Sequence, residues 1–542
     1  MSSKKEAIGG DRGSRWRWVG VWGAYFLLAL ALMVESGAWH SDFGGHADEA
    51  AHVVTGLMVR DYLAGGFREH WHPVRYAEAY YERFPKVAIG HYPPGFYLVE
   101  ALWLLPVRSG GALLAMMAAL AATGGVYVWW LGGRLLAGRW AGPALGALFV
   151  AMPLVRTYTG IVMSDLLLVV LMGLAVVSFA RFLESGRSRD SLAFGIWAVA
   201  AILTKAGGLV LALVPPLAIV LAGKWRLVTN WRLWLAPVPV ALLGLPWMLM
   251  TSEVTLEGKS SLTGMEYLRE AVRSYPTALF LELGGLMVLL LGIGTVGLAW
   301  QRWAKGGRVS EPLPAALWAL TIALPVFFCL VPTGVDARYL LPLVPGGLVL
   351  AAATLEQVSA RLLGATWWNW LAMGFALAVF ADTFRPVEKS YTGASEAIRR
   401  AVAVGDSGLP ETDDARPVSR ILVSAGASGE GALTAAAALI APDRTEILRA
   451  GKVLASSDWL GRGYALNFQD EAGLRQILKQ RQVDAVIVEI SPDGDKRPPV
   501  EHERRLQSWL ESGGEGISPA EVIESERRRG KHGEFRLYRL NP

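Results

Sequence analysis

Apolar residues in this chain fall into long, nearly unbroken blocks, each closed by a short cluster of Arg, Lys, Gly or Pro. The blocks lie at 18–36, 110–132, 140–155, 160–182, 191–204, 207–222, 232–251, 277–300, 314–331, 338–354 and 365–381. Most approach the roughly 20 residues that an α-helix needs to cross the hydrocarbon of a bilayer. The pattern therefore predicts about eleven transmembrane helices. The first block is too long, and too poor in a small-residue cleavage site, for a removable signal peptide, so it reads as a retained helix. Two further pieces fit a membrane surface better than a span. From Ala47 to Leu63, apolar residues recur at near-helical spacing (Ala50, Val53, Val54, Leu57, Met58, Leu63), which predicts an amphipathic helix over 47–64. The apolar piece 93–106, about fourteen residues, is short for a span and reads as interfacial or re-entrant.

The pattern changes after residue 381. Arg420-Ile421-Leu422-Val423-Ser424 reads as a buried strand, 429–441 and 471–481 as helices, and Asp484–Glu489 and Phe535–Leu540 as further strands. Residues 406–418 read as a polar, Pro-containing linker, 491–500 as a charged, turn-rich loop, and Glu524–Arg529 as a solvated helix end. The fold class expected is an α-helical polytopic membrane protein, with about eleven spans and two interfacial helices over 1–381, and a C-terminal soluble α/β domain over 382–542.

Composition sharpens this. Hydrophobic residues make up 53% of the 542, with 22 Trp, well above the soluble average. Charge is uneven, with 48 charged residues in the last 161 against 51 in the first 381. Basic residues precede the first block (Lys4, Lys5, Arg12, Arg15, Arg17) and recur in alternate connectors at Arg134/Arg139, Arg181/Arg187/Arg189, Lys224/Arg226/Arg232 and Arg302/Lys305/Arg308. The positive-inside rule makes these connectors and the N-terminus cytoplasmic, provided that 93–106 does not cross. The same parity puts the loop 37–109, the loop 252–276, the Asp336-Ala337-Arg338 corner and everything after 382 on the extracytoplasmic face of an inner (cell) membrane. The net charge of +5 contains no cluster that calls for nucleic acid. The lone cysteine, Cys329, rules out a disulfide within the chain.

Candidate chemistry concentrates in the first outer loop. Asp48-Glu49 stands in the first turn of the 47–64 helix, where the helix dipole favours ionised carboxylates. Such a pair can act as a general base on a sugar hydroxyl, hold a cation, or simply cap the helix. Further on, His91-Tyr92-Pro93-Pro94-Gly95 starts a second helix with two prolines, which presents His91 and Tyr92 rigidly. These two side chains can ligate a metal, donate to a phosphate or anchor the segment at the interface. Gly426-Ala-Ser-Gly429-Glu-Gly431 lies between a strand and a helix, but it is neither G-x-G-x-x-G nor a P-loop.

An Asp-Glu helix after the first span, a Pro-Pro helix 40–50 residues later, Met163-Ser164-Asp165 opening a span, Leu203-Thr204-Lys205-Ala206-Gly207 closing one, and Arg338-Tyr339-Leu340-Leu341-Pro342 form an ordered set. Together, over about residues 15–385, it resembles the GT-C glycosyltransferases, and within them the protein mannosyltransferase and aminoarabinose transferase branch. The resemblance implies transfer of a sugar from a polyprenyl-phosphate donor to an extracytoplasmic acceptor, which could be protein, lipid or glycan. By position it implies Asp48 as the catalytic carboxylate with Glu49 beside it, and Asp165 as a second acidic site. An unpaired carboxylate at the bilayer edge argues for function, and a partner such as Arg156 for structure. Lys205, Arg338 and the adjoining Tyr339 are then candidates to bind phosphate or substrate, unless the cations merely snorkel.

On this reading Asp48 takes the proton of the acceptor hydroxyl, the anomeric centre inverts through an oxocarbenium-like transition state, and fixed positive charge faces the departing phosphate. One position departs from the pattern: many relatives carry Lys before the Pro-Pro pair, and this chain has Tyr92. Phosphate neutralisation then falls to Arg338, Lys205 or a loop base such as Arg75, with His91 as an additional donor. A divalent cation could share the role, with Asp48, Glu49 and His91 as candidate ligands, although no tight metal-binding spacing is present. Two other classes fit the hydropathy: a lipid or sugar transporter or flippase with a soluble accessory domain, and a binding module on an inactive transferase fold. Transporters tend to show internal repeats and helices broken at the midplane. This chain shows no convincing repeat, and its polar residues gather at one face.

Overall fold

A computed structural model describes residues 12–68, 70–257, 262–303, 311–362, 368–403, 418–456, 463–490, 500–513, 516–528 and 531–540. The basic residues Lys4, Lys5, Lys305 and Arg308, nearly all of the linker 406–418 and the charged loop 491–499 lie outside them. Among the described residues, six helices are long and apolar enough to cross a membrane: Arg15–Glu35, Gly110–Leu135, Asp165–Ser185, Trp231–Met250, Pro312–Leu330 and Leu343–Ala360. Shorter apolar helices include Ala141–Ala151, Ala206–Ala222 and Trp370–Thr383.

Several apolar blocks are broken where their prolines and glycines fall. The block 140–155 ends its helix at Ala151, and Pro153 starts a new one, Pro153–Gly160. The block 277–300 is part of a pair, Gly264–Leu283 and Gly285–Trp300, bent by 116°. The bend falls at Gly284, whose φ of +80° suits glycine alone, because a side chain there would also meet Asp382. Trp231–Met250 passes through 3₁₀, α and π segments, as expected of a run holding Pro237, Pro239 and Pro246.

The first helix, α1 (Arg12–Glu35), is followed by α2 (Glu49–Ala64), α3 (Pro73–Arg83) and α4 (Gly95–Leu104). The sequence pattern anticipates α2 and α4 but not α3, a polar helix of 11 residues none of which is fully buried. α2 crosses α4 at Gly56, where a Cβ would come within 2.1 Å of the Glu100 carboxyl carbon. The glycine leaves room for the buried Glu100 side chain between the two helices.

Toward the C-terminus the chain forms a five-stranded mixed sheet. Its strands are β1 (Ser419–Ser424), β2 (Thr445–Arg449), β3 (Ala485–Ile490), β4 (Glu521–Arg528) and β5 (Lys531–Arg539), in the order β2-β1-β3-β5-β4. β1 pairs parallel with β2 and β3, while β5 runs antiparallel to β3 and β4. Helices Ala427–Ile440 and Glu471–Gln480 provide crossovers. The stretch Glu524–Arg529, expected to end a helix, instead lies largely in edge strand β4. There Ile523 and Ser525 alternate inward, opposite Phe535 and Gly533 of β5, and Glu524 and Glu526 take the alternate positions.

Both faces of the sheet are covered, as parallel central strands require. Leu422, Val486 and Val488 point into a core formed with Leu474, Leu478, Leu506 and Trp509. Their neighbours Ile421, Val423, Ala485 and Ile487 belong to the core that continues through helix Ala427–Ile440 into α2 and the helical bundle. At that junction Gly431 faces Ala50 of α2, leaving only 2.9 Å between its would-be Cβ and that of Ala50.

Candidate functional site

Asp48 occupies the N-cap position of α2, yet its carboxylate accepts no hydrogen bond from the first-turn amides. It faces away from the helix instead. The Tyr92 hydroxyl donates to Asp48 Oδ2 at 3.0 Å, and Arg338 Nη1 stands 3.5 Å from the same oxygen. His46 lies on the other side, its Nδ1 accepting the Asp48 N–H at 3.0 Å. The Asp48 side chain keeps 24% of its exposure, so an incoming hydroxyl can reach it. Burial alone would raise its pKa, but His46, Arg338 and the Tyr92 hydroxyl outweigh burial and hold the carboxyl below its ordinary value. The carboxylate is therefore ionised at neutral pH and poised to accept a proton.

Tyr92 reaches Asp48 because of how α4 begins. The Gly95 N–H donates to the Leu203 carbonyl at 2.6 Å, and a Cβ at 95 would sit 2.7 Å from that oxygen. The Pro-Pro-Gly start thus docks directly on the turn that carries Thr204 and Lys205. Lys205 Nζ donates to Asp165 Oδ1 at 2.6 Å, both side chains being almost fully buried. Asp165 opens helix Asp165–Ser185, where the dipole favours its charge. Arg156, its alternative partner by sequence, pairs with Glu35 instead.

Arg338 completes the ring. Asp336 accepts the Arg338 backbone N–H at 3.0 Å and lies 3.3 Å from its Nε, so the Asp336-Ala337-Arg338 corner aims the guanidinium at Asp48. Arg338 is 8% exposed, and its Nε and Nη1 face Asp336 and Asp48 as ion pairs without making a hydrogen bond to either. Tyr339 stacks on Phe328 at 4.8 Å, and both Arg338 and Lys205 lie against its ring, at 5.4 and 5.3 Å. The fold thereby brings Asp48, Tyr92, Asp165, Lys205, Arg338 and Tyr339 to one place. His91 is half-buried one residue before Tyr92.

Glu49 departs from this group. It is fully buried, with Oε1 2.6 Å from Lys389 Nζ and 3.1 Å from the Val162 N–H, and Oε2 2.8 Å from the Gly45 N–H. Both oxygens are already engaged, so Glu49 cannot share a cation with Asp48. Among the described residues no three His, Cys, Asp or Glu side chains converge as metal ligands. The set Asp48, Glu49 and His91 does not fit a metal centre as folded, since the group facing Asp48 Oδ2 is the Arg338 guanidinium.

Three residues lay outside the sequence reading. His52, four residues after Asp48 on the same helical face, is fully buried among Tyr92, Phe96 and Tyr97, with ring centroids 4.6, 5.4 and 5.6 Å away. Burial pushes its pKa down to about 3, so it packs as a neutral ring. The i, i+4 spacing from Asp48 was the available signal. Glu100, the one acid in apolar α4, is fully buried against Gly56 without a hydrogen-bond partner, and burial raises its pKa well above the carboxylate range. Lys389 lies beyond the last apolar block, where nothing in the sequence ties it to Glu49.

No family model matches the chain, and no curated protein matches it significantly. Among solved structures, the chain is similar to the crystal structure of ArnT from Cupriavidus metallidurans bound to undecaprenyl phosphate. The two are 14% identical with a TM-score of 0.50, over 96% of this chain and 98% of that one. The chain is also similar to the archaeal oligosaccharyltransferase AglB from Archaeoglobus fulgidus, in complex with an inhibitory peptide and a dolichol-phosphate. There the values are 13% and 0.49, over 88% of this chain and 70% of that one. The match to ArnT runs nearly end to end, so the resemblance read from the ordered motifs is a resemblance of fold, and the chain is a multi-pass membrane protein.

Proposed function

We propose that this protein is a membrane glycosyltransferase that transfers a sugar from a polyprenyl-phosphate carrier to an acceptor hydroxyl, with inversion and with Asp48 as the general base. The observation that carries this reading is the Asp48 carboxylate itself. It sits at a helix start without capping it, is held ionised by Tyr92 and Arg338, and stays open to an acceptor. An accessible base beside a fixed guanidinium is what this chemistry needs. The base accepts the proton of the attacking hydroxyl while Arg338 faces the phosphate as negative charge develops on it. The buried Asp165–Lys205 pair and the Tyr339 ring support the wall of the site beside Arg338, and in this reading His91 and Lys205 are further donors to the phosphate. The undecaprenyl phosphate held by the similarly folded ArnT suits a carrier of this type.

The topology proposed with this function has about eleven spans, which requires the shorter apolar helices to cross as well. α2 and α4 lie at the interface, and residues 1–381 form the catalytic part. In this arrangement the site and residues 382–542 face the outside of the inner membrane, with the N-terminus in the cytoplasm. Asp48→Asn tests the reading. The variant should fold as the wild type does and lose at least about a hundredfold in sugar transfer from a polyprenyl-phosphate sugar in reconstituted membranes, in line with loss of a general base. Unchanged transfer would remove Asp48 from the mechanism.

A further inference from the structure

Outside the site, a buried link joins α2 to the chain that follows the last apolar block. Lys389 comes from 340 positions along the sequence to meet Glu49, the residue next to Asp48. It is 6% exposed and donates to Glu49 Oε1 at 2.6 Å and to the Gly160 carbonyl at 3.0 Å, while its ammonium lies 5.4 Å from the Phe43 ring. Its backbone is fixed too, the Lys389 N–H donating to the Ser36 carbonyl at 2.9 Å.

The contacts continue outward. The Tyr391 carbonyl accepts the Asp42 N–H at 2.6 Å, and the Tyr391 N–H donates to Ser41 Oγ at 2.9 Å. Asp42 in turn accepts the N–H groups of Ala394 and Ser395, so a residue of the first loop caps the helix Ala394–Ala403. The Tyr391 hydroxyl donates to Glu489 Oε1 at 2.6 Å, and Glu489, at the end of β3, is paired with Arg527 of β4 at 2.6 Å. A run of buried and partly buried polar contacts, linked between Lys389 and Tyr391 by the chain itself, therefore joins the sheet to the first turn of α2.

We infer that Lys389 is a positioning residue for Asp48, and that the C-terminal sheet, through Tyr391 and Glu489, forms part of the framework that holds the base. Asp48 is the N-cap residue, so its carboxylate is only as well placed as the first turn of α2. That turn is fastened by the Glu49 carboxylate. Removing Lys389 leaves a fully buried carboxylate with two amide donors and no counter-charge, and the inexpensive response is for the 45–49 turn to shift until Glu49 reaches water. Asp48 then moves away from Tyr92 and Arg338. The inference rests on Asp48 being the base, but the coupling itself can be read without catalysis.

The experiment compares the full chain in detergent or nanodiscs with Lys389→Met, Lys389→Arg and Tyr391→Phe. Hydrogen–deuterium exchange of peptides spanning 41–56 reports the coupling, and transfer kinetics report its consequence. Lys389→Met should raise exchange in 41–56 at least tenfold and lower kcat at least tenfold with little change in donor KM. Lys389→Arg should recover most of both, and Tyr391→Phe should lie between. Native exchange and an unchanged kcat in Lys389→Met would overturn the inference. If Lys389→Met fails to fold, the Arg and Phe variants decide, and wild-type exchange and kcat in Tyr391→Phe would refute the link to the sheet. Altered exchange with no transfer by the wild type would keep the coupling and sink only the reading of Asp48.

Discussion

Lys205 and Asp165 offer the sharpest separation of structure from chemistry. Their side chains are 8% and 3% exposed and 2.6 Å apart, so each is the other's direct ion-pair partner in a nearly dry setting. Lys205→Met leaves Asp165 as a buried, unpaired carboxylate, and breaking one side of such a pair costs about 3–5 kcal/mol. Replacing both by apolar residues, as in Lys205→Met with Asp165→Leu, removes the desolvated charges together and should come out near neutral, or even more stable by about 1–4 kcal/mol. The double-mutant cycle should therefore show a coupling of about 3 kcal/mol or more. Thermal unfolding in detergent, followed by the fluorescence of the 22 tryptophans, gives the stabilities. The double variant then carries the functional test. If it folds but no longer transfers sugar, Lys205 or Asp165 also acts in the reaction; if it transfers normally, the pair is structural. A Lys205→Met protein within about 0.5 kcal/mol of wild type would refute the description of a dry, mutually dependent pair.

Tyr92→Phe removes one of the interactions that, against the upward push of burial, hold the Asp48 pKa down. Because the base works only when ionised, the acid limb of the pH–rate profile should move to higher pH while the plateau above it is kept; an unmoved limb would exclude the hydrogen bond. The same depressed pKa contributes stability that is present above the unfolded carboxyl value and lost as pH falls through the folded one, so Tyr92→Phe should lose stability in the neutral range and converge with wild type in acid. Gly95→Ala forces a methyl to within 2.7 Å of the Leu203 carbonyl and should cost about 1–3 kcal/mol along with transfer activity, measured by unfolding and turnover. Arg338→Lys keeps the charge but loses the planar fork, so donor binding and turnover should both fall, which steady-state kinetics would show. His52→Phe removes two buried ring nitrogens that make no hydrogen bond; its stability should be unchanged or higher by up to about 1 kcal/mol, and a fall of 2 kcal/mol would reveal partners for those nitrogens.

Much of this molecule can be read along its sequence because the deciding physics there is local. Long apolar blocks must become helices in a bilayer, since no water is available to satisfy the backbone. The β-branched runs at 420–424 and 484–489 form the central strands, and the start of α2 at Asp48-Glu49 is visible from spacing alone. Where local signals are weak, tertiary contacts decide the structure. β4 is so charged that only its pairing with β5 reveals a strand, and the bend at Gly284 is decided by what the two helices pack against.

The site is legible as a set of residues but not as a set of partners. Asp48 and Glu49 are neighbours in sequence with the same chemistry, yet successive positions on a helix point in different directions. One carboxylate faces Tyr92 and Arg338 with 24% of its side chain exposed, and the other is sealed against Lys389 with none. In the same way Asp165 could have met Arg156 and instead meets Lys205, while Arg156 pairs with Glu35. The sequence by itself determined which charges lie at one end of the helical blocks. Only the tertiary structure decided which of them neutralise one another and which one is left open, because a charge pair depends on contacts across hundreds of residues that no local pattern encodes.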